Sequence, residues 1–401
     1  MDITIHPGKL EGCVQAIPSK SHAHRVLICA ALSDKPTQIF CSQTNDDIEA
    51  TADCLRSLGA LITKKEYGYE VIPISIFPKS AELDCRESGS TLRFMLPIIG
   101  AMGVDATLKM SGRLPDRPLS PLWEEMERMG CTLVRPTHNI VHCTGKLRSG
   151  RYSISGSISS QYITGLMFAL SLIPGESQLE ITGKVESRPY IDITRKTLAD
   201  FGVIIDTTIS GKFPFLSPGA VQIEGDWSNS AFFLVAGAFS NSVVIQGLDH
   251  SSAQGDREIV DLIPRLQNCA PTISAADIPD LIPILAVCAA YYRGAVFTDI
   301  GRLRLKESDR VATVCNMLQA FGIHCIATED TLKVSPGKFI GCTIDAAGDH
   351  RIAMAAAISA SIASGDVTIL GAQCVNKSYP SFWEVYHQLG GNYEQYMRSS
   401  N

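Results

Sequence analysis

Ser19, Lys20, Ser21 and Arg25 stand where Pro18 closes a loop and the apolar run Val26–Leu32 begins. The pattern predicts a buried helix whose mouth carries two hydroxyls and two cations, with Ser21 and Arg25 one turn apart on one face. A helix start is already electropositive. Cations gathered there cost stability unless something negative comes to sit on them. The chemistry on offer is the capture of an anion by charge-assisted hydrogen bonds.

Five other segments repeat the arrangement. Arg86-Glu87-Ser88-Gly89-Ser90-Thr91 adds a glycine that lets backbone N–H groups approach a ligand closely. Ser159-Ser160-Gln161 offers two hydroxyls and an amide. Asp226-Trp227-Ser228 offers capping groups and no cation, Ala276–Asp280 brings carboxylates, and Asp349-His350-Arg351 joins a cap to an imidazole and a guanidinium. Loops add Arg113 and Arg117, then Arg302, Arg304, Lys306 and Arg310 around Glu307, then Lys377. Taken singly, each has a plainer meaning. A serine or aspartate ahead of a helix is usually a cap, a basic loop is usually a solvated face, and His350 alone reads as structural. What favours anion binding is recurrence: cations keep appearing at helix mouths, where they are unfavourable.

Those mouths must be held by a scaffold, and the chain repeats one. Six segments read as helices apolar on every side: Ser21–Leu32, Ser88–Met102, Ser159–Ile173, Trp227–Phe239, Pro279–Tyr292 and Asp349–Ala363. Such helices are buried all round. Six amphipathic helices alternate with them: Asp47–Leu58, Pro121–Met129, Ile191–Phe201, Glu258–Leu266, Asp309–Phe321 and Pro380–Leu389. An apolar residue followed by glycine closes five of these, at Gly59, Gly130, Gly202, Gly322 and Gly390, with Asn268 in the equivalent place of the sixth. Glycine or asparagine there predicts a left-handed cap. Strand-like segments such as Val203–Ile205 follow. The unit is one buried helix, one amphipathic helix and several short strands, six times over. A composition shift near Gly219–Asp226 divides the six into three and three.

The bulk numbers narrow the field. The 401 residues are too many for one ordinary core. A net charge of −6 argues against nucleic acid as the main partner. The 13 cysteines form no C-x-x-C pair, so neither a zinc site nor a disulfide framework is indicated, and a reducing cytosol fits them. The N-terminus reads as a strand rather than a signal peptide. The longest apolar run, Leu281–Tyr292, is too short to span a bilayer. No Walker sequence, no G-x-G-x-x-G and no G-x-S-x-G elbow occurs, so a nucleotide cofactor is not expected.

In order along the chain, PSKSHAHR, ESGSTLRF, SGRLPDRPL, SGSISSQYITGL, SRPYIDIT, IPDLIP, LRLKESDR, GDHRIAM and NKSYPSFW resemble the marks of the 5-enolpyruvylshikimate-3-phosphate synthase family. The resemblance covers nearly the whole chain and implies an α/β fold. It would be a two-domain inside-out α/β barrel of six βαβαββ-type repeats, three per domain, with buried parallel helices and sheets outside. The domains would be 19–223, and 1–18 with 224–401, closing on ligands at two crossovers. The implied reaction transfers the enolpyruvyl group of phosphoenolpyruvate to the 5-hydroxyl of shikimate 3-phosphate and releases phosphate. It implies no metal and no organic cofactor, no nucleic-acid or membrane partner, a cytoplasmic location, and a monomer.

The resemblance also implies roles. Ser159, Ser160 and Tyr190 would hold the shikimate phosphate, and Ser21 and Arg25 its carboxylate end. Gln161 would lie against the ring and reach toward phosphoenolpyruvate. Gly89, Arg117 and Lys377 would take the phosphoenolpyruvate phosphate, and Arg310 and Arg351, with His350, its carboxylate. Lys20 would lie between the substrates. Asp280 would be the base, with Lys306 beside it, and Glu307 the acid that protonates the methylene carbon. The inhibitor glyphosate would occupy the phosphoenolpyruvate site, uncrowded at Gly89. Two positions depart from many relatives. Glu87 replaces an asparagine and needs a partner, with Arg86 and Arg93 the candidates; Arg302 stands where some relatives contact the shikimate ring through asparagine. Two rivals remain. A sister enzyme acting on UDP-N-acetylglucosamine carries a reactive cysteine in its loop, which Gly112–Pro118 lacks. A non-catalytic anion binder would lack Asp280, Lys306 or Glu307.

Overall fold

The computed structural model describes residues 1–240 and 242–396. The chain divides into two compact units, Pro18–Glu224 and Met1–Ile17 with Gly225 onward.

One sheet pattern recurs in both. Strand Ser80–Asp84 runs through helix Gly89–Met102 into strand Asp105–Lys109, and helix Leu122–Arg128 leads on to the hairpin Cys131–Thr137 and Ile140–Gly145. The first two strands pair parallel, which demands the crossover helix between them. The hairpin joins antiparallel through its second strand. The same chain order and pairing recur in the other unit, in strands Thr272–Ser274, Ala295–Thr298, Cys325–Ala327 and Thr331–Val334.

Three repeats are completed by strands from elsewhere in the chain. Ala220–Gln222 pairs parallel with Thr37–Phe40 and so supplies the missing first strand of its unit's first sheet. Asp2–His6 lies between Val367–Leu370 and Asn392–Tyr396, antiparallel to each. The start of the chain thus closes its last sheet. Gly12–Gln15 does the same for Val243–Gln246 in parallel.

The six apolar helices lie at Lys20–Ala31, Gly89–Met102, Ser160–Leu172, Trp227–Ser240, Ile282–Tyr291 and His350–Ala360. Every residue of His350–Ala360 is buried, as periodicity-free apolar composition requires. Truncating one fully buried member such as Leu285 to alanine costs about 2–5 kcal/mol. Helices Gly89–Met102 and Ser160–Leu172 meet backbone to backbone. A Cβ on Gly165 would run into the Arg93 carbonyl, so only glycine allows the approach that sets Arg93 beside Gln161.

Three details differ from the sequence expectations. Gly59, Gly130, Gly202, Gly322 and Gly390 all have positive φ, from +76° to +118°, but Asn268 does not; it is the last residue of helix Ile259–Asn268, and extended Cys269 ends that helix. Val203–Ile205 forms no strand: Ile204 points into solvent, and the strand comes later, at Thr208–Gly211. The helix expected from Pro279 begins at Ile282. Pro279-Asp280-Leu281 instead makes a turn closed by the Leu281 N–H on the Ile278 carbonyl. That turn leaves the Asp280 carboxylate outside the helix and able to meet side chains from other segments.

Candidate active site

In the unit Pro18–Glu224, charge is gathered at the mouths of the buried helices. Ser19 caps the first, its hydroxyl accepting the His22 N–H. Lys20 sits in the first turn and pairs with Asp47 at 2.9 Å. Arg25 is 3% exposed. Its Nε donates to Thr194 Oγ1 at 2.8 Å, Nη1 to the Ser21 carbonyl at 2.6 Å, and Nη2 to the Tyr190 carbonyl at 3.0 Å and more weakly to Thr164 Oγ1. Its guanidinium carbon lies 5.1 Å from the centre of the Phe94 ring. None of these partners is a carboxylate. Burial lowers Arg25 to about 10, which leaves it charged at neutral pH. The flanking imidazoles add nothing, because burial drives His22 down to about 4 and His24 to about 3.

A second group forms around Arg93 and Gly89. Arg93 donates to Gln161 Oε1 at 2.9 Å and to the Pro118 carbonyl at 3.1 Å, and lies over the Tyr162 ring. Gln161 Nε2 donates on to Ser90 Oγ at 2.9 Å. Tyr162 also donates to the Pro118 carbonyl, so two hydrogen bonds on one oxygen hold the loop that carries Arg117. A Cβ on Gly89 would fall 2.6 Å from Arg93 Nη1 and 2.8 Å from Arg117 Nη1. Gly89 and two guanidinium groups therefore share one small space. Ser159 caps its helix through the Gln161 N–H, and Ser160 is buried in the first turn. Tyr190 follows Ser187, whose φ is +56°.

In the other unit, cations and carboxylates interlock. Arg310 is 1% exposed and donates to Asp280 Oδ1 at 2.8 Å, Glu307 Oε2 at 2.6 Å and Asp349 Oδ2 at 3.0 Å. Burial alone would lower Arg310; Asp349, Glu307 and Asp280 overcome it and raise the group. Arg351 Nη2 reaches Asp280 Oδ2 at 3.0 Å, and Lys306 Nζ lies 3.5 Å from Oδ1. Burial would push Asp280 up, yet Arg351, Lys306 and Arg310 hold it well below the usual carboxylate range. Burial lowers Lys306 to about 8, partly offset by Asp280. Asp349 caps helix His350–Ala360 through the Arg351 N–H, which aims Arg351. His350 is buried beside it. Lys377 ends the turn of 3₁₀ helix Ala372–Lys377, next to Ser378, whose hydroxyl donates to Asn229.

The structure thus gathers Lys20, Arg25, Gly89, Arg117 and Gln161 at helix mouths of one unit, and Asp280, Lys306, Glu307, Arg310 and Arg351 into one cluster of the other. Sequence reasoning did not single out Asp47, Arg93 or Asp349 as site residues. Asp349 alone carried a signal, its capping position before His350. Arg86 turns to Asp53 at 2.6 Å rather than to Glu87, whose carboxylate fills the space a Cβ on Gly112 would need. Arg302 lies near enough to Lys306 to help lower it. Among the described residues no group of His, Cys, Asp and Glu could hold a metal ion, and no helix is long and apolar enough to cross a membrane.

The EPSP synthase of Acinetobacter baumannii superposes with a TM-score of 0.80 at 23% identity, over 98% of this chain and 100% of that one. The enolpyruvyl transferase NikO of Streptomyces tendae gives 0.78 at 18% identity, over 98% of each chain. The fold is that of the enolpyruvyl transferases. A sequence model described as EPSP synthase (3-phosphoshikimate 1-carboxyvinyltransferase) matches residues 5–270 and 268–386. The 3-phosphoshikimate 1-carboxyvinyltransferase of Clostridium kluyveri is 37% identical over 419 residues, covering 98% of each protein. The chain belongs to the EPSP synthase family and is a transferase.

Proposed function

We propose that this enzyme moves the enolpyruvyl group of phosphoenolpyruvate to the 5-hydroxyl of shikimate 3-phosphate, with phosphate released. The observation that carries the reading is Arg25, a fully buried cation whose hydrogen-bond partners are all neutral. A buried charge without a counter-charge is costly, and an anionic substrate supplies one. Ser21 and Arg25 bind the carboxylate of shikimate 3-phosphate, and Ser159, Ser160 and Tyr190 its phosphate. Lys20, Gly89, Arg117, Gln161 and Lys377 serve the phosphoenolpyruvate phosphate; Arg310, His350 and Arg351 serve its carboxylate.

The first step forms a bond from the 5-oxygen to C2 of phosphoenolpyruvate while C3 gains a proton. Asp280, held as a firm carboxylate, is a weak base by itself. Lys306, at about 8, accepts the hydroxyl proton as the neutral amine, and Asp280 positions it. Glu307 delivers the proton to C3, having taken it up when the phosphoenolpyruvate carboxylate displaces it from Arg310. In the second step Glu307, now the carboxylate, takes a proton back from C3, the C2–C3 double bond re-forms, and the bond from C2 to the phosphate oxygen breaks with its electron pair leaving on that oxygen. Lys20 and Arg117 stabilise the departing phosphate. The order of charge in the two clusters supplies much of the rate, by fixing two anions that repel each other in water. The enzyme works as a monomer in the cytoplasm, a state that sedimentation of the purified protein would check.

The test is phosphate release from phosphoenolpyruvate with shikimate 3-phosphate, run beside phosphoenolpyruvate with UDP-N-acetylglucosamine. Release with the first alone is expected. Release with only the nucleotide sugar, or with neither, overturns the reading.

A further inference from the structure

Asp256 is a buried carboxyl that the reaction outlined above does not use. It is 2% exposed, in the short 3₁₀ segment Gly255–Glu258. Gln254 pins that segment to the start of helix Trp227–Ser240: its Oε1 accepts the Trp227 N–H at 3.0 Å and its Nε2 donates to the Gly225 carbonyl at 2.8 Å. Asp256 Oδ2 accepts from the Ser228 hydroxyl. Oδ1 is buried with no hydrogen-bond partner among the described residues. The Ser228 carbonyl in turn accepts from Arg351 Nη1 at 3.5 Å, and Arg351 Nη2 holds Asp280. Asp256, Ser228, Arg351 and Asp280 thus form one contact chain.

The charged groups that act on Asp256 are Asp280 and Asp226, which oppose its ionisation, and Arg351, which favours it. Its chain neighbour Arg257 donates instead to the His250 carbonyl. An ionised carboxylate with one oxygen unmatched in this setting is costly. The neutral acid is cheaper, since its proton can lie in the contact with Ser228. Burial and Asp280 push the group up to about 7.

We propose that Asp256 is a positioning residue of the Arg351 anion clamp: as the neutral acid it holds Ser228 in place beneath Arg351, and as the carboxylate it draws the positive charge of Arg351 away from an incoming anion. The inference rests on the reading that Arg351 grips the carboxylate of phosphoenolpyruvate.

The experiment compares KM for phosphoenolpyruvate in the wild type and in Asp256→Asn between pH 6 and 8.5. Ionisation of the substrate is common to both enzymes and cancels in the ratio of wild type to variant. That ratio should climb with pH by roughly three- to tenfold. A ratio flat across the range overturns the proposal. Asp256→Ser, which cannot ionise either, repeats the test if Asn fails to fold. A linked readout is Tm. A raised carboxyl binds its proton more tightly folded than unfolded, so wild type loses stability relative to Asn as pH rises through about 7; a pH-independent Tm difference also overturns the proposal. Arg351→Gln separates the two readings. If it leaves KM for phosphoenolpyruvate unmoved, the clamp itself is wrong; if it raises KM while the Asp256 ratio stays flat, only the role of Asp256 is wrong.

Discussion

The two helix-mouth clusters solve the burial of arginine in opposite ways. Arg25 is held by two threonine hydroxyls and two main-chain carbonyls. Arg310 is held by three carboxylates. Neutral acceptors orient a guanidinium without cancelling its charge, which suits the first arrangement to the anion binding proposed for it. Carboxylates neutralise it, so the second is a balanced network. There, burial and the neighbouring charges bring Lys306 and Asp256 near neutral pH. In the proposed reading both units hold anions, and the proton chemistry falls to one of them.

The sharpest way to break this contrast is to delete each arginine in turn. Arg310→Met should cost about 3–5 kcal/mol, because it strands buried carboxylates. Arg25→Met should change stability by no more than about 1 kcal/mol, since Thr164 and Thr194 bond each other and Thr194 also donates to the Tyr190 carbonyl. Urea denaturation reads both, and equal losses would erase the distinction. The functional cost reverses for Arg25→Met: kcat/KM for shikimate 3-phosphate should fall about a hundredfold through lost charge-assisted bonds. A loss of under fivefold would take Arg25 out of the binding site.

Burial depresses Lys306, so it is protonated and unable to accept a proton below about 8. The rate with saturating substrates should therefore rise with pH through about 8, and Lys306→Arg should lose that limb along with about tenfold or more of the rate. Gly89→Ala places a methyl group 2.6 Å from Arg93 Nη1 and 2.8 Å from Arg117 Nη1. Both tips must move, so KM for phosphoenolpyruvate and inhibition by glyphosate should weaken by several-fold or more, read in one titration series. Thr194→Val removes the acceptor of Arg25 Nε together with the hydroxyl's bonds to Thr164 and the Tyr190 carbonyl, and leaves the charge of Arg25 in place. It should raise KM for shikimate 3-phosphate about threefold and leave KM for phosphoenolpyruvate unchanged.

Much of the fold was legible because its signals are local. Unbroken apolar runs mark the buried helices, and the glycine after each amphipathic helix marks its left-handed cap. Where such a signal was absent the reading slipped. Asn268 stayed in its helix because Cys269 continues in extended conformation. Val203–Ile205 looked like a strand from its side chains alone, although the sheet edge it would join is taken by Thr208–Gly211 against Gly175–Gln178.

Composition, periodicity and capping by themselves determined that this chain has six buried helices with polar mouths, and that cations crowd some of those mouths. What those cations meet was decided only by tertiary structure. Lys20 finds Asp47 27 residues away, Arg310 finds Asp349 across 39 and Arg93 finds Gln161 across 68. A local pattern can announce a charge at a helix end. Whether that charge is cancelled by a carboxylate or left for a ligand depends on which distant segment packs against it, and on how completely the packing removes water.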